Sequence, residues 1–67
     1  METLARWESR GGKHYVAVQV SARGYALEYN GGRTWMGDVA ESTAINEARR
    51  KVRARRDVDG VTLTRLY

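Results

Sequence analysis

The chain has 67 residues and a formal net charge of +4, with no cysteine and one histidine. This length suits one small domain near the lower limit for a self-sufficient core, and the composition argues against disulfides and a zinc site. No apolar run approaches the roughly 20 residues that cross a bilayer, and an acidic residue follows Met1 where a leader would be hydrophobic. We therefore expect a soluble, intracellular protein of the cytoplasm, with no membrane partner, metal or cofactor.

Two alternating segments, residues 3–9 and 14–21, predict the first hairpin. The pair Gly11-Gly12 lies between them, and both glycines can adopt the positive φ that tight hairpin turns need. A turn centred there opposes Trp7 to Val16 and Ala5 to Val18. The core face that this register predicts consists of Thr3, Ala5, Trp7, Val16, Val18 and Val20.

The turn at residues 21–24 predicts a third strand over residues 24–29. It places Val20 beside Tyr25, Val18 beside Leu27 and Val16 beside Tyr29, so both hairpins agree on one apolar face. The opposite face carries a mixture of charged, polar and small residues and is predicted to be solvated. Its members are Arg6, Glu8, Tyr15, Ala17, Gln19, Ala26 and Glu28.

A third hairpin signal, Asn30-Gly31-Gly32, leads into a short strand over residues 33–36. A two-residue loop would point Trp35 outward, whereas a three-residue loop with a bulge would point it into the core. We expect Trp35 in the core, because small domains seldom leave a tryptophan exposed.

Residues 39–56 predict an amphipathic helix with an apolar stripe at helical spacing. The stripe consists of Ala40, Ala44, Ile45, Ala48 and Val52. Asp38, with Glu41 three residues later, fits a helix start, and Ser42 is the alternative cap. The turn residues 57–60 should end the helix, and residues 61–67 should form a last strand, antiparallel beside the first. The expected fold is α+β: one domain, residues 1–67, with an antiparallel sheet of four or five strands and one helix, β-β-β-(β)-α-β.

Candidate catalytic groups are few. His14 has no acidic partner in the predicted hairpin, so a surface position is expected. The segment 57–60, Asp-Val-Asp-Gly, matches part of a calcium loop but lacks the later acidic ligand. The glycine pairs belong to hairpins and do not precede a helix in the way that cradles phosphate. We therefore expect no enzymatic activity.

The strongest functional signal is basic. Residues 49–56 hold six of the twelve lysines and arginines and no acidic residue. The helix dipole accounts for part of this charge, and the excess favours a polyanionic partner. On a helical projection Arg49, Arg53 and Arg56 share one flank, with Arg50 next to them. Such a ridge suits phosphates or carboxylates, although an ordinary solvated helix face is the alternative. Secondary candidates on the sheet are Arg6, Tyr15 and Gln19.

The run from Gly24 to Gly37, G-Y-x-L-x-Y-N-G-G-R-x-W-x-G before a helix, resembles the three-stranded-sheet DNA-binding modules of phage integrases and AP2 domains. Those modules read DNA with the exposed sheet face. Here that face carries Glu8 and Glu28, and a further strand follows the helix. By size, lack of cysteine and outline, the chain also resembles small phage-encoded inhibitors such as anti-CRISPR proteins. The antitoxin HicB shares the βββαβ order. No motif supports the last two comparisons, so they assign no residues.

Three functions remain open. The first is a non-enzymatic binding protein, encoded by a phage or mobile element, that occludes an acidic protein surface or a nucleoprotein complex. The second is a weakly specific nucleic-acid-binding module that uses Arg49, Arg50, Arg53 and Arg56. The third is a structural homodimer subunit, paired through the edge of the last strand or of residues 33–36.

Overall fold

The computed structural model describes residues 1–67. The elements in chain order are β1 (Glu2–Glu8), β2 (Tyr15–Ser21), β3 (Gly24–Tyr29), β4 (Gly32–Gly37), α1 (Glu41–Asp59) and β5 (Thr64–Arg65). The strands form one antiparallel sheet in the order β4-β3-β2-β1-β5, and α1 packs on one face of it against β2 and β3. We call this the helix face and the opposite one the outer face. The predicted α+β fold is confirmed, with five strands.

The core lies between α1 and the helix face. Ala44 and Ala48 are fully buried where α1 contacts the sheet. Their small side chains let the helix approach the sheet closely. Ile45 and Val52 are half-buried and pack against the core from its margin, whereas Val20 lies outside it. The buried cluster consists of Ala5, Trp7, Val16, Val18, Leu27, Ala44, Ala48 and Leu63.

The first hairpin has the predicted pairing but a longer connection. Trp7 opposes Val16 and Ala5 opposes Val18, as the Gly-Gly centre indicated. Between the strands, Arg10–Gly12 forms a 3₁₀ turn in which both glycines have positive φ. The backbone N–H of Ser9 donates to the carbonyl of His14, and the N–H of His14 donates to Ser9 Oγ. These bonds close a loop of residues 9–14, whereas the predicted strands left only residues 10–13 between them.

A bulge in β1 changes which residues of its first half face the core. The register shifts between Thr3 and Ala5, so Thr3 opposes Gln19 on the outer face. Leu4 packs against the core instead. The prediction that Thr3 faces the core was therefore wrong, because strict alternation does not hold across a bulge.

Trp35 faces outward, so the expectation that it lies in the core was wrong. Asn30 and Gly31 form a two-residue turn with φ of 49° and 80°, which is the left-handed pair that a type I′ hairpin needs. This turn opposes Trp35 to Ala26 on the outer face, and 52% of Trp35 remains exposed. Turn chemistry at Asn30-Gly31 thus outweighs the tendency to bury a tryptophan.

The helix begins and ends later than predicted. Ala40 is the N-cap, and neither Asp38 nor Ser42 supplies a side-chain cap. The C-terminal end extends through Asp57 to Asp59, where Asp59 pairs with Arg55 one turn earlier. Gly60 then adopts a left-handed conformation. Its N–H donates to the carbonyl of Arg56, and the N–H of Val61 donates to the carbonyl of Arg55. Of the predicted turn residues 57–60, only this glycine ends the helix.

The last strand is shorter than predicted but lies where expected. β5 pairs antiparallel with β1, with Arg65 opposite Trp7 and Thr64 opposite Glu8. Backbone hydrogen bonds from Arg6 to Tyr67 and from Leu66 to Arg6 continue the contact. Leu63, just before the strand, is buried in the same core cluster as Trp7.

Candidate anion-binding groove

The arginines of α1 surround a groove between the helix and the chain segment that follows it. The groove has a volume of about 220 Å³. Its lining consists of Arg49, Val52, Arg53, Arg56, Thr62 and Leu63. Residues three and four apart share one side of a helix, which explains why Arg49, Arg53 and Arg56 meet here as the projection predicted. We call this site, defined by these three residues with Thr62 and Leu63, the arginine groove.

The charge of the arginine groove is positive and largely uncompensated. No carboxylate lines it. Arg49 and Arg53 take part in none of the five ion pairs. Arg56 lies 3.5 Å from Asp57, but both side chains are more than half exposed, so this pair is weak and open to exchange. The guanidinium groups are therefore free to bind an anion from solution.

Arg50 does not belong to this groove. Its guanidinium lies 3.7 Å from Glu47, one turn earlier on the helix, and 77% of its side chain is exposed. Of the four predicted binding residues, the structure thus brings three together and places Arg50 outside their groove, on the solvent side. Arg50 can therefore attract an anion to the groove only at long range, because its side chain does not line the groove.

Arg65 is a further basic residue on the helix face that sequence reasoning missed. Its guanidinium lies 5.1 Å from the centre of the Trp7 ring, and it faces the same side of the sheet as Leu63, two residues earlier, which lines the groove. Arg65 also donates to the carbonyl of Tyr67. Alternation from Leu63 would have placed Arg65 on this face, but only the structure shows that β5 places its guanidinium over the Trp7 ring.

The outer face differs from the arginine groove because its charges are paired. Arg6 lies over the ring of Tyr15 at 4.4 Å and bonds to Glu8 at 2.6 Å. Arg33 pairs with Glu28 at 3.3 Å. The secondary candidates Arg6 and Tyr15 thus contact each other, and Arg6 is also paired with the carboxylate of Glu8. A polyanion would gain little on this face, since each cation already has a partner.

The alanines of the outer face are buried, although this face was predicted to be solvated. Ala17 lies between Arg6 and Glu28 in the register, and Ala26 lies between Gln19 and Trp35. Both are fully covered, because long neighbouring side chains close over small ones. The third secondary candidate, Gln19, is half-buried there, and its Oε1 has no hydrogen-bond partner.

A second groove runs along the opposite side of α1. It has a volume of about 270 Å³ and includes Lys51, Tyr29 and Val58 in its lining. Lys51 lies over the Tyr29 ring at 5.0 Å, and the Arg55–Asp59 pair closes one end. Asp59 gives this groove a negative charge that the arginine groove lacks. It is therefore the less suitable of the two for an anion.

The other residues considered as catalytic or metal-binding candidates have structural roles. The backbone of His14 closes the first hairpin loop. Asp57 and Asp59 lie in the last turn of α1 and pair with Arg56 and Arg55. No group of three or more His, Asp or Glu side chains is arranged to hold a metal ion. The only helix longer than one turn, α1, is too polar to cross a membrane.

Comparison of this chain with family models, with curated proteins and with solved structures found no match. The resemblances to integrase and AP2 modules and to small phage inhibitors remain predictions.

Proposed function

We propose that the chain is a small non-enzymatic binding protein that attaches through the arginine groove to an acidic surface of a nucleic-acid-handling complex and occludes it. The observation that carries this proposal is the cluster of Arg49, Arg53 and Arg56 around a groove without a carboxylate. Guanidinium groups bind carboxylates and phosphates with two parallel hydrogen bonds. Three guanidinium groups on one helix flank can make more of these hydrogen bonds to one partner than an isolated surface arginine can.

The size of the molecule is consistent with occlusion. Its accessible surface is 4454 Å², and a standard protein interface takes about 800 Å² from each partner. Such an interface would use roughly a fifth of the surface. The outline resemblance to anti-CRISPR proteins implies an inhibitor encoded by a phage or mobile element. Such an inhibitor would act by sterically blocking the surface that it binds.

The test compares two variants of equal charge for binding to a polyglutamate peptide, which stands in for an acidic protein surface. The groove variant replaces Arg49, Arg53 and Arg56 by glutamine. The control variant replaces Arg10, Lys13 and Arg23, three exposed cations on the hairpin loops. We expect the groove variant to lose binding and the control to keep it, with both remaining folded by circular dichroism. Equal losses in both variants would show only non-specific attraction by net charge and would contradict the proposal.

Direct binding of nucleic acid is the second candidate, and the spacing of the arginines favours it. Arg49 and Arg56 are seven residues apart, about 10 Å along the helix axis at about 1.5 Å per residue. Along a duplex axis this length includes about three phosphates of one strand, at about 3.4 Å of axis per phosphate. The three guanidinium groups of the groove can thus contact up to about three phosphates.

The salt dependence of binding to a mixed-sequence DNA duplex tests this candidate. Neutralising three phosphates predicts a slope of about −2.7 in log K against log salt, or a loss of about 40-fold between about 50 and about 200 mM salt. The groove variant should reduce the slope to near zero, and the control variant should retain most of it. Negligible duplex binding, with retained polyglutamate binding, would exclude the second candidate and leave the first.

A further inference from the structure

The free edge of β4 is the largest uncovered hydrogen-bonding surface of the backbone. β4 is the first strand in the sheet order and pairs on one side only, with β3. Residues 32–35 are all exposed, and α1 packs on β2 and β3. An uncovered edge of this kind is a template for another strand, which natural proteins usually block with lysine, proline or a very short strand. β4 has six residues and neither of those two residue types.

The register identifies which backbone groups point away from β3. Tyr29 and Gly32 flank the two-residue turn, and residues in that position exchange both backbone hydrogen bonds. Hydrogen-bonded and non-hydrogen-bonded pairs alternate along an antiparallel ladder. Thr34 therefore bonds to Leu27, whereas Arg33 and Trp35 direct their N–H and C=O groups toward the open edge.

The edge carries no free charge that would repel a second strand. Arg33 already pairs with Glu28 at 3.3 Å, and residues 34–37 are uncharged. The other edge of the sheet is less suitable, since β5 has only two residues and one of them is Arg65. Of the two edges that the sequence left open for pairing, the structure thus favours β4.

We propose that two copies of this chain pair antiparallel through β4, with Trp35 on the two-fold axis. In this register each Trp35 exchanges backbone N–H···O=C bonds with Trp35 of the second copy, and both indoles lie on the outer face. Arg33 then lies across from the end of β4 of the second copy, where a bulge at Met36 interrupts the register before Gly37. Asp38 follows this bulge and forms no ion pair within its own chain. Arg33, which also pairs with Glu28, can then share its charge with this unpaired carboxylate on each side of the axis.

This dimer leaves the arginine groove open. The groove lies between α1 and the chain around Leu63, on the β5 side of the sheet, and β4 is at the opposite edge. Four strand spacings of about 4.8 Å, or about 19 Å, separate the two edges. Dimerisation does not depend on the function of the groove, and either proposal can fail without the other.

Sedimentation equilibrium over a range of concentrations tests the dimer directly. The wild-type mass should rise from 7.6 kDa toward twice that value. Trp35→Lys places a like charge on each side of the axis and should keep the mass at that of one chain. Its melting temperature should equal that of the wild type at concentrations where the wild type is monomeric. The control is Val58→Lys, at a site that is 81% exposed in the last turn of α1, and it should dimerise as the wild type does. A wild type that stays monomeric at the highest concentration, or a Trp35→Lys variant that still dimerises, would overturn the proposal.

Amide hydrogen exchange distinguishes this register from pairing elsewhere. The amides of Arg33 and Trp35 should gain protection as concentration rises, whereas the amide of Thr34 should be protected at all concentrations because it bonds to β3. Concentration-dependent protection at residues 64–67 in place of Arg33 and Trp35 would assign the interface to β5 and contradict the proposal.

Discussion

Val18 is the position where a single substitution tests the packing of the whole domain. It lies in the central strand β2, opposite Ala5 on one side and Leu27 on the other, and it is completely buried. Val18→Ala removes two methyl-sized groups, worth about 1.6 kcal/mol of transfer free energy at about 0.8 kcal/mol each. The cavity that remains raises the loss to about 2–3 kcal/mol.

This loss is large relative to the stability expected for the chain. At about 0.05–0.15 kcal/mol per residue, a domain of this length is stable by about 3–10 kcal/mol. Each kcal/mol shifts the melting temperature of such a domain by about 4–8 °C. Val18→Ala should therefore still fold but melt about 8–24 °C lower. Val18→Asp should not fold, because an unpaired buried carboxylate costs more than the whole stability.

Thermal and urea unfolding, followed by circular dichroism and tryptophan fluorescence, measure both effects. Val58→Ala is the matched control, because it makes the same change at a site that is 81% exposed and should leave the melting temperature almost unchanged. A Val18→Asp variant that melts cooperatively near the wild-type temperature would show that the helix face has been assigned to the wrong side of the sheet.

Two glycine substitutions test the backbone in different ways. Gly24→Ala should prevent folding, because its Cβ would overlap the backbone oxygen of Gly37. Gly31→Ala, with positive φ but open space around it, should remain folded and lose only about 1–2 kcal/mol. Equal melting temperatures for the two variants would contradict this reasoning. Gly60→Ala should lose about 1–2 kcal/mol in urea unfolding, because residue 60 is left-handed with φ 70°; no loss would mean that α1 does not end there in solution.

Strand register could be predicted because two independent signals agreed. The Gly-Gly pair and the alternation of Trp7, Val16 and Val18 gave the same pairing for the first hairpin, and β2–β3 followed in the same way. The bulge before Ala5 has no local sequence signal, since no glycine or proline marks it. It moves Thr3 to the outer face through the packing of Leu4, which is a tertiary effect.

Trp35 shows where a general tendency fails against local geometry. Burial of tryptophan is an average over proteins, whereas Asn30-Gly31 is a specific signal for a two-residue turn. The same preference for local chemistry explains the end of α1. The Arg55–Asp59 pair and the left-handed Gly60 extend the helix through residues that, by composition, indicated a turn.

The arginine groove could be predicted only in part. Helical spacing was sufficient to group Arg49, Arg53 and Arg56, because neighbours on a helix are determined by sequence separation. The groove also needs Thr62 and Leu63, and Arg65 lies on the same face of the sheet, over the Trp7 ring. Their position depends on how the chain returns after Gly60 to pair with β1, which no spacing within the helix could show. The pairing of Arg50 with Glu47 likewise depends on side-chain geometry.

The most direct test of the anion-binding claim is to observe the guanidinium groups themselves. Nuclear magnetic resonance can follow the Nε–Hε signals of individual arginines while a polyglutamate peptide is added. The account predicts that the signals of Arg49, Arg53 and Arg56 shift together, that those of Arg10 and Arg23 remain in place, and that added salt reverses the shifts. Shifts spread evenly over all arginines, or confined to Arg6 and Arg33 on the outer face, would contradict it.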